Sequence, residues 1–183
     1  NTSVLPTLTR TQQFVGRSNW SVDGYLDGLI DYFRIYGRAL SADQISELYQ
    51  MPGSDADGDG FTYTQEYDAG TNPDANDSMP DKNYLQVMDG LVAWYPLDGN
   101  LSDASGNGRD ATLQNTNGVT GGFMDGTILK ALDLDGVDDY LSIPHDSGLD
   151  IRRTVSFAAW LKIDSLSGTW FPFLYKGIGS SPG

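Results

Sequence analysis

The sequence contains no cysteine, which excludes disulfide bonds, thiolate metal sites and a cysteine nucleophile. Histidine is almost absent as well, since His145 is the only one. Glutamate is also scarce, because only Glu47 and Glu66 occur among 25 acidic residues. Glutamate suits helices, whereas aspartate suits turns and metal-binding loops. The balance therefore predicts a β-rich protein with many turns.

Basic residues are few, with 11 Lys and Arg against 25 Asp and Glu and a net charge of −14. Binding to phosphate groups needs clustered Lys and Arg, so neither nucleic acid nor an anionic membrane is an expected partner. All apolar runs are shorter than a membrane-spanning helix requires, and we expect no membrane insertion. An apolar fraction of 39% is enough to form a packed core.

One acidic segment, residues 55–66, has the spacing of a calcium-binding loop. Carboxylates occupy positions 1, 3, 5 and 12 of the twelve, and a glycine occupies position 6. The carboxylates would repel one another without a cation, so we expect the loop to be loose when empty and ordered when filled. The alternative is an acidic linker with this spacing by chance. The predicted ligands are Asp55, Asp57, Asp59, the carbonyl of Phe61, and Glu66.

Three further acidic segments could hold an ion or form turns. The first contains Asp74 between Asn72 and Asn76, and the two interpretations are equally good there. In the second, Asp98, Asp103, Asn107 and their neighbours could hold calcium, although a pair of Asx-turns is the favoured interpretation. The third comprises Asp135, Asp138 and Asp139, where a turn is again favoured.

Short apolar segments separated by Gly, Asn and Asp predict the secondary structure. Strands at this spacing are typical of an antiparallel sandwich or jelly roll. Ser41 and Gln44 form a capping box that predicts a short helix, with Ala42, Ile45, Leu48 and Tyr49 as its apolar stripe. The predicted strands are 12–17, 29–36, 91–97, 111–114, 131–135, 139–143, 154–163 and 170–176. Pro172 suggests that the last strand lies at an edge or contains a bulge.

Several segments carry a family resemblance. G-L-V-A-W-Y-P-L-D-G-N, L-D-L-D-G-V-D-D-Y-L-S-I-P and T-V-S-F-A-A-W-L-K resemble the first half of a LamG-like (laminin G, concanavalin A-like) jelly roll. F-V-G-R and D-G-L-I-D-Y-F-R-I-Y-G-R-A-L-S-A-D-Q-I-S-E-L-Y resemble the last part of the same family. The segment between them, residues 55–76, is similar to bacterial thrombospondin type 3-like calcium repeats.

The resemblance implies three regions in an unusual order. Residues 1–50 would be the C-terminal part of one jelly roll, 51–83 a calcium-binding linker, and 84–183 the N-terminal part of a second jelly roll. The chain would then be a segment of a larger multidomain protein, with exposed sheet edges that promote self-association. One hypothesis is that 1–50 packs onto 84–183, within one chain or between copies, as a rearranged jelly roll.

Four aromatic residues are candidates for sugar binding, because flat rings match the apolar faces of sugars. They are Trp20, Tyr25, Trp170 and Tyr175. Core packing is the alternative for each of them, since large aromatic side chains are mostly buried.

No catalytic site is predicted. Glycosidases of this fold family use closely spaced carboxylates, usually glutamates, and the two glutamates here lie in a helix and in the calcium loop. His145 has no nucleophile motif nearby and is expected at the surface.

The resemblance and the residues together predict an extracellular or cell-surface calcium-binding module of a bacterial protein. It would bind a glycan or a cell-surface protein and serve adhesion. Two alternatives stay open: a structural repeat of a surface layer or filament assembled by sheet complementation, and an accessory region of a polysaccharide-degrading enzyme.

Overall fold

The computed structural model of the protein describes residues 11–50, 89–114, 122–127, 129–165 and 172–177. The predicted calcium loop at 55–66, Asp74 and Trp170 lie outside these residues. Within them, no helix is long and apolar enough to cross a membrane.

Nine strands and one α-helix follow one another along the described chain. The helix is α1, Ala42–Gln50, and a short 3-10 turn covers Ser147–Leu149. The strands are β1 Gln12–Val15, β2 Asp27–Tyr36, β3 Leu91–Tyr95, β4 Thr112–Gln114, β5 Gly122–Asp125, β6 Lys130–Asp135, β7 Tyr140–Ile143, β8 Ser156–Ser165 and β9 Leu174–Gly177. All strand pairs are antiparallel, and the strands form two sheets. The predicted all-β antiparallel sandwich with a short helix is confirmed.

Both sheets take their central strand from the N-terminal part of the chain. In the first sheet, of order β4-β7-β1-β9, β1 lies between β7 and β9. In the second sheet, β8 pairs along the full length of β2, and β3 and β6 pair with successive parts of its other edge. Strands from before and after the proposed linker therefore share both sheets within one chain. The division into three regions stays a prediction, because residues 51–83 lie outside the described part.

The core lies between the two sheets and follows the alternation of the strands. In β7, Leu141 and Ile143 are buried while Tyr140 and Ser142 point away from the core. Each large apolar side chain that is removed from water in this way contributes about 1.5–3 kcal/mol. The fully buried members include Val15, Ile30, Phe33, Tyr95, Leu97, Leu132, Leu134 and Leu141.

The outer face of β2 is buried as well. The Arg34 guanidinium lies 4.7 Å from the ring centroid of Trp94 and 5.1 Å from that of Tyr32. Burial lowers the pKa of Arg34, and Tyr36 and Tyr32 act in the opposite direction. Apolar residues on both faces of this strand are typical of a strand in a packed sandwich, and the run from Ile30 to Tyr36 is buried on both faces.

Helix α1 has the predicted N-terminal cap but buries less than its sequence suggests. The Ser41 N–H donates to Gln44 Oε1 at 3.0 Å, and the Gln44 N–H donates to Ser41 Oγ at 3.2 Å. Leu48 is buried against Tyr36, whereas Ile45 is 56% exposed and Tyr49 is 69% exposed. The predicted four-residue stripe was therefore wrong in extent. The helix lies on the outer face of the second sheet and borders a groove of about 440 Å³.

Two details of the strands differ from the predictions. Strand β5 was missed, because it begins at Gly122, the second residue of a pair of glycines that was interpreted as a turn. The last strand begins only at Leu174, after Pro172, and lies at the edge of the first sheet as the proline suggested.

Candidate functional site

Five aromatic side chains and one arginine lie together on the outer face of the first sheet, and Phe14 is the buried member of the set. Strand alternation places three of them there, because their neighbours Val15, Leu141 and Leu174 point toward the core. The loop between β1 and β2 supplies the others. We call this set the aromatic surface: Phe14, Arg17, Trp20, Tyr25, Tyr140 and Tyr175.

The rings of the aromatic surface contact one another in sequence. Trp20 meets Tyr175 edge to face, with ring centroids 5.8 Å apart. Tyr175 stacks on Phe14 at 6.0 Å, which in turn meets Tyr140 edge to face at 5.1 Å. Tyr25 completes the row at 6.2 Å from Tyr140. Cross-strand aromatic pairs of this kind stabilise a sheet and also fix the ring orientations.

Arg17 supplies a positive charge within this surface. Its guanidinium lies 4.6 Å from the ring centroid of Tyr140, 5.0 Å from that of Phe14 and 5.5 Å from that of Tyr25. Its Nε donates a hydrogen bond to the Ser18 carbonyl at 2.7 Å. Cation–π contacts hold the charged group against the rings and leave donors for a polar ligand.

A tight turn presents Trp20 to solvent. Ser18 is buried, and its hydroxyl donates to an Asp23 carboxylate oxygen at 2.6 Å. The same hydroxyl accepts from the Trp20 N–H at 2.9 Å, and the Asp23 N–H donates to the Trp20 carbonyl at 3.2 Å. Trp20 is 47% exposed, although its backbone is fixed by these bonds.

Three of the four predicted sugar-binding residues lie together in the aromatic surface. These are Trp20, Tyr25 and Tyr175, while Trp170 lies outside the described residues. Sequence reasoning did not identify Phe14, Arg17 or Tyr140. The available signal was alternation, since Phe14 precedes the core residue Val15 and Tyr140 precedes the core residue Leu141.

A group of three carboxylates lies in the turn after β6. Oxygens of Asp135, Asp138 and Asp139 lie within 4.8 Å of one another, so the group could hold a metal ion. Asp135 Oδ1 also accepts backbone N–H groups, from Val137 at 2.8 Å and from Asp138 at 3.2 Å. The predicted turn is thus present, and it places three acidic side chains together.

Further aspartates surround this turn. The pKa of Asp133 is raised by burial and by the charges of Asp164, Asp27, Asp139 and Asp135. This end of the second sheet is therefore strongly negative. A divalent cation would reduce the mutual repulsion of these side chains.

The loop after β3 uses its polar side chains in turns. Asp103 accepts the N–H groups of Trp94, Ser105 and Arg109 at 3.0 Å each. The Asn107 side-chain amide donates to the Val92 carbonyl at 3.0 Å. Asp98 accepts the Lys130 N–H at 2.8 Å, and burial raises its pKa while that hydrogen bond opposes the shift.

Comparison with known proteins gives one match, over the N-terminal part of the chain. Residues 1–46 match the family model described as the concanavalin A-like lectin/glucanases superfamily. No curated protein and no solved structure matches the chain. The match supports the LamG-like resemblance over that segment, and domains of this superfamily are generally binding modules that are often extracellular. A carbohydrate- or protein-binding module is therefore consistent with both the fold and the match.

Proposed function

We propose that this protein is a non-catalytic extracellular module that binds a glycan through the aromatic surface. The observation that carries the proposal is the position of Trp20, Tyr25 and Tyr175 on one face, beside the Arg17 guanidinium. Sugar rings stack on such side chains through their C–H faces, and a guanidinium donates hydrogen bonds to their oxygens. The alternative is that the same surface binds a cell-surface protein and serves adhesion.

Calcium belongs to the same proposal. The loop spacing at 55–66 supports one ion, and the carboxylates of Asp135, Asp138 and Asp139 offer a second position. Extracellular calcium is abundant enough to fill weak sites of this type, with dissociation constants of roughly 10⁻⁴–10⁻³ M. The ion would act as a structural cross-link in a chain that has no cysteine.

Substitution of Trp20 by alanine is expected to weaken glycan binding about tenfold. One ring-stacking contact contributes roughly 0.5–1.5 kcal/mol, and removal of the most exposed ring also removes contact area with the ligand. A glycan array with the intact protein identifies the ligand, and isothermal titration calorimetry then compares wild type with Trp20→Ala and Tyr175→Ala.

Tyr49→Ala provides the matched control for that experiment. Tyr49 is an exposed aromatic residue on the outer face of the other sheet, where it contacts Trp160. Its loss should leave the affinity unchanged. Equal losses in Trp20→Ala and Tyr49→Ala, or no binding of wild type to any glycan, would contradict the proposal.

Removal of calcium is expected to lower the melting temperature and to increase proteolysis between residues 51 and 83. The predicted ligands Asp55, Asp57 and Asp59 would repel one another once the ion is removed. Differential scanning calorimetry with calcium and with chelator measures the first effect, and limited proteolysis with mass spectrometry locates the second.

The variant Asp57→Ala should respond less to added calcium than wild type. Asp125→Ala is a suitable control, because the Asp125 side chain is 93% exposed and pairs only with the exposed Lys130 among the ion pairs of the described residues. Identical melting curves of wild type in calcium and in chelator would remove calcium from the proposal.

A further inference from the structure

Strand β8 forms one edge of the second sheet. It is ten residues long and pairs with β2 on one side, and no other described strand pairs with it. Natural edge strands are usually short or protected by charges, prolines or bulges, because a long edge offers free backbone groups to another chain. Strand β8 is longer than the typical strand of about 5–6 residues.

The inner face of β8 is apolar but incompletely covered. Phe157 stacks on the core residue Phe33 at a centroid distance of 6.5 Å, so the odd-numbered residues face the space between the sheets. Phe157 is nevertheless 44% exposed, Leu161 41% and Ile163 49%. An apolar cavity of about 220 Å³, lined in part by Val155, Phe157 and Leu174, lies beside the same edge. This is the exposed hydrophobic edge that predicts association.

We propose that a second copy of this chain pairs with β8, so that two molecules form one continuous sheet across a two-fold axis. A two-fold axis perpendicular to the sheet makes the two β8 strands antiparallel and keeps both inner faces on the same side. The apolar residues of the two copies then cover one another. This inference is independent of the glycan-binding proposal.

The side-chain pattern of β8 selects a register with the axis at Trp160. Phe157 then lies opposite Ile163 of the second copy, and Ala159 lies opposite Leu161 of the second copy. Both inner pairs are apolar, and one combines a small with a large side chain. On the outer face the two Trp160 rings form a cross-strand aromatic pair. Almost the whole strand, Ser156–Ser165, is paired in this register.

Registers with the axis closer to the C-terminal end of β8 are less favourable. An axis at Lys162 places the two Lys162 ammonium groups opposite each other, and an axis at Leu161 places them diagonally. An axis at Ile163 pairs only the last part of the strand. With the axis at Trp160, Lys162 lies opposite Ala158 of the second copy, and no two charges of like sign are directly opposite.

Single-cysteine variants test the proposal directly, because the native chain has no cysteine and each disulfide must join two molecules. Trp160→Cys places a cysteine at the axis, and it should form a disulfide with the same cysteine of the second molecule under mild oxidation. Lys162→Cys should not form such a disulfide. The two cysteines of the paired molecules would lie four residues apart along the strand direction, which is roughly 13 Å. That spacing exceeds the Cα separation of about 4.4–6.8 Å in disulfides. A mixture of Ala158→Cys and Lys162→Cys chains, which keep Trp160, should give a cross-linked pair.

Light scattering of the wild-type chain should show a dimer that Leu161→Lys converts to a monomer. Met124→Lys is the matched control, since Met124 is a half-exposed apolar residue on β5, at the other end of the sheet, and should leave the dimer intact. Circular dichroism confirms that each variant is folded. A monomeric wild type at every concentration, or equal cross-linking of Trp160→Cys and Lys162→Cys, would overturn the proposal.

Discussion

Deletion of residues 1–50 is expected to abolish the cooperative thermal transition of the remaining chain. Without β1 the first sheet separates into β4-β7 and β9, and without β2 the strands β3, β6 and β8 of the second sheet lose their shared partner. The deletion also removes the fully buried Val15, Ile30 and Phe33. Their burial alone contributes about 5–9 kcal/mol, which is comparable to the whole stability of a typical domain.

Circular dichroism melting curves and one-dimensional proton NMR of the deleted and complete chains measure this effect. Addition of a peptide with residues 11–50 should restore the transition, because it supplies both central strands. Ile30→Val in the complete chain is the conservative control, expected to cost about 1 kcal/mol and to keep a sharp transition. A sharp transition in the deleted chain without peptide would show that residues 84–183 form a domain of their own.

The strands could be predicted from the sequence better than their order. The short apolar segments 29–36 and 139–143 predicted the strands β2 and β7 within a few residues of their bounds. Nothing local in β1 or β2 indicates that each becomes the central strand of a different sheet, since partners such as Ile143 and Lys162 are more than a hundred residues away. Helix α1 illustrates the same limit: the cap follows from Ser41 and Gln44, whereas the exposure of Tyr49 depends on how the helix lies on the sheet.

Single aromatic residues of the candidate site could be predicted from the sequence, but the full set of residues that form the aromatic surface could not. Trp20 and Tyr25 stand out because they occur in a loop rich in turn-forming residues. Their connection to Tyr140 and Tyr175 depends on the strand order β7-β1-β9, which brings Phe14 between the two tyrosines. Arg17 ends the F-V-G-R segment of the family resemblance, but that resemblance gave it no role, and only the packing of its guanidinium against the rings identifies it as part of the surface.

Replacement of Asp103 by alanine is expected to destabilise the protein by roughly 2–4 kcal/mol. The carboxylate is almost fully buried, and it accepts backbone N–H groups from Trp94 in β3 and from Ser105 and Arg109 in the following loop. Without it, these donors would lose a charged acceptor at a buried position. Asp110→Ala is the control in the same loop, because Asp110 is exposed and accepts the Asp103 N–H at 2.8 Å. Its loss should cost no more than about 1 kcal/mol.

The pH dependence of the unfolding free energy tests whether the charge of the Asp103 carboxylate stabilises the protein. Burial acts to raise the pKa of Asp103, but the hydrogen bonds from Ser105, Trp94 and Arg109 outweigh it, and the pKa lies below its usual value. A carboxylate with a lowered pKa in the folded state contributes stability that is complete above its unfolded pKa and is lost as the pH falls through its folded pKa. Urea unfolding at a series of pH values should therefore show a large stability difference between wild type and Asp103→Asn at neutral pH. The difference should shrink in acid, because protonation removes the charge of the wild-type side chain. A pH-independent difference would mean that the replacement of an acceptor oxygen by the amide NH2 group, and not the charge of Asp103, accounts for the loss.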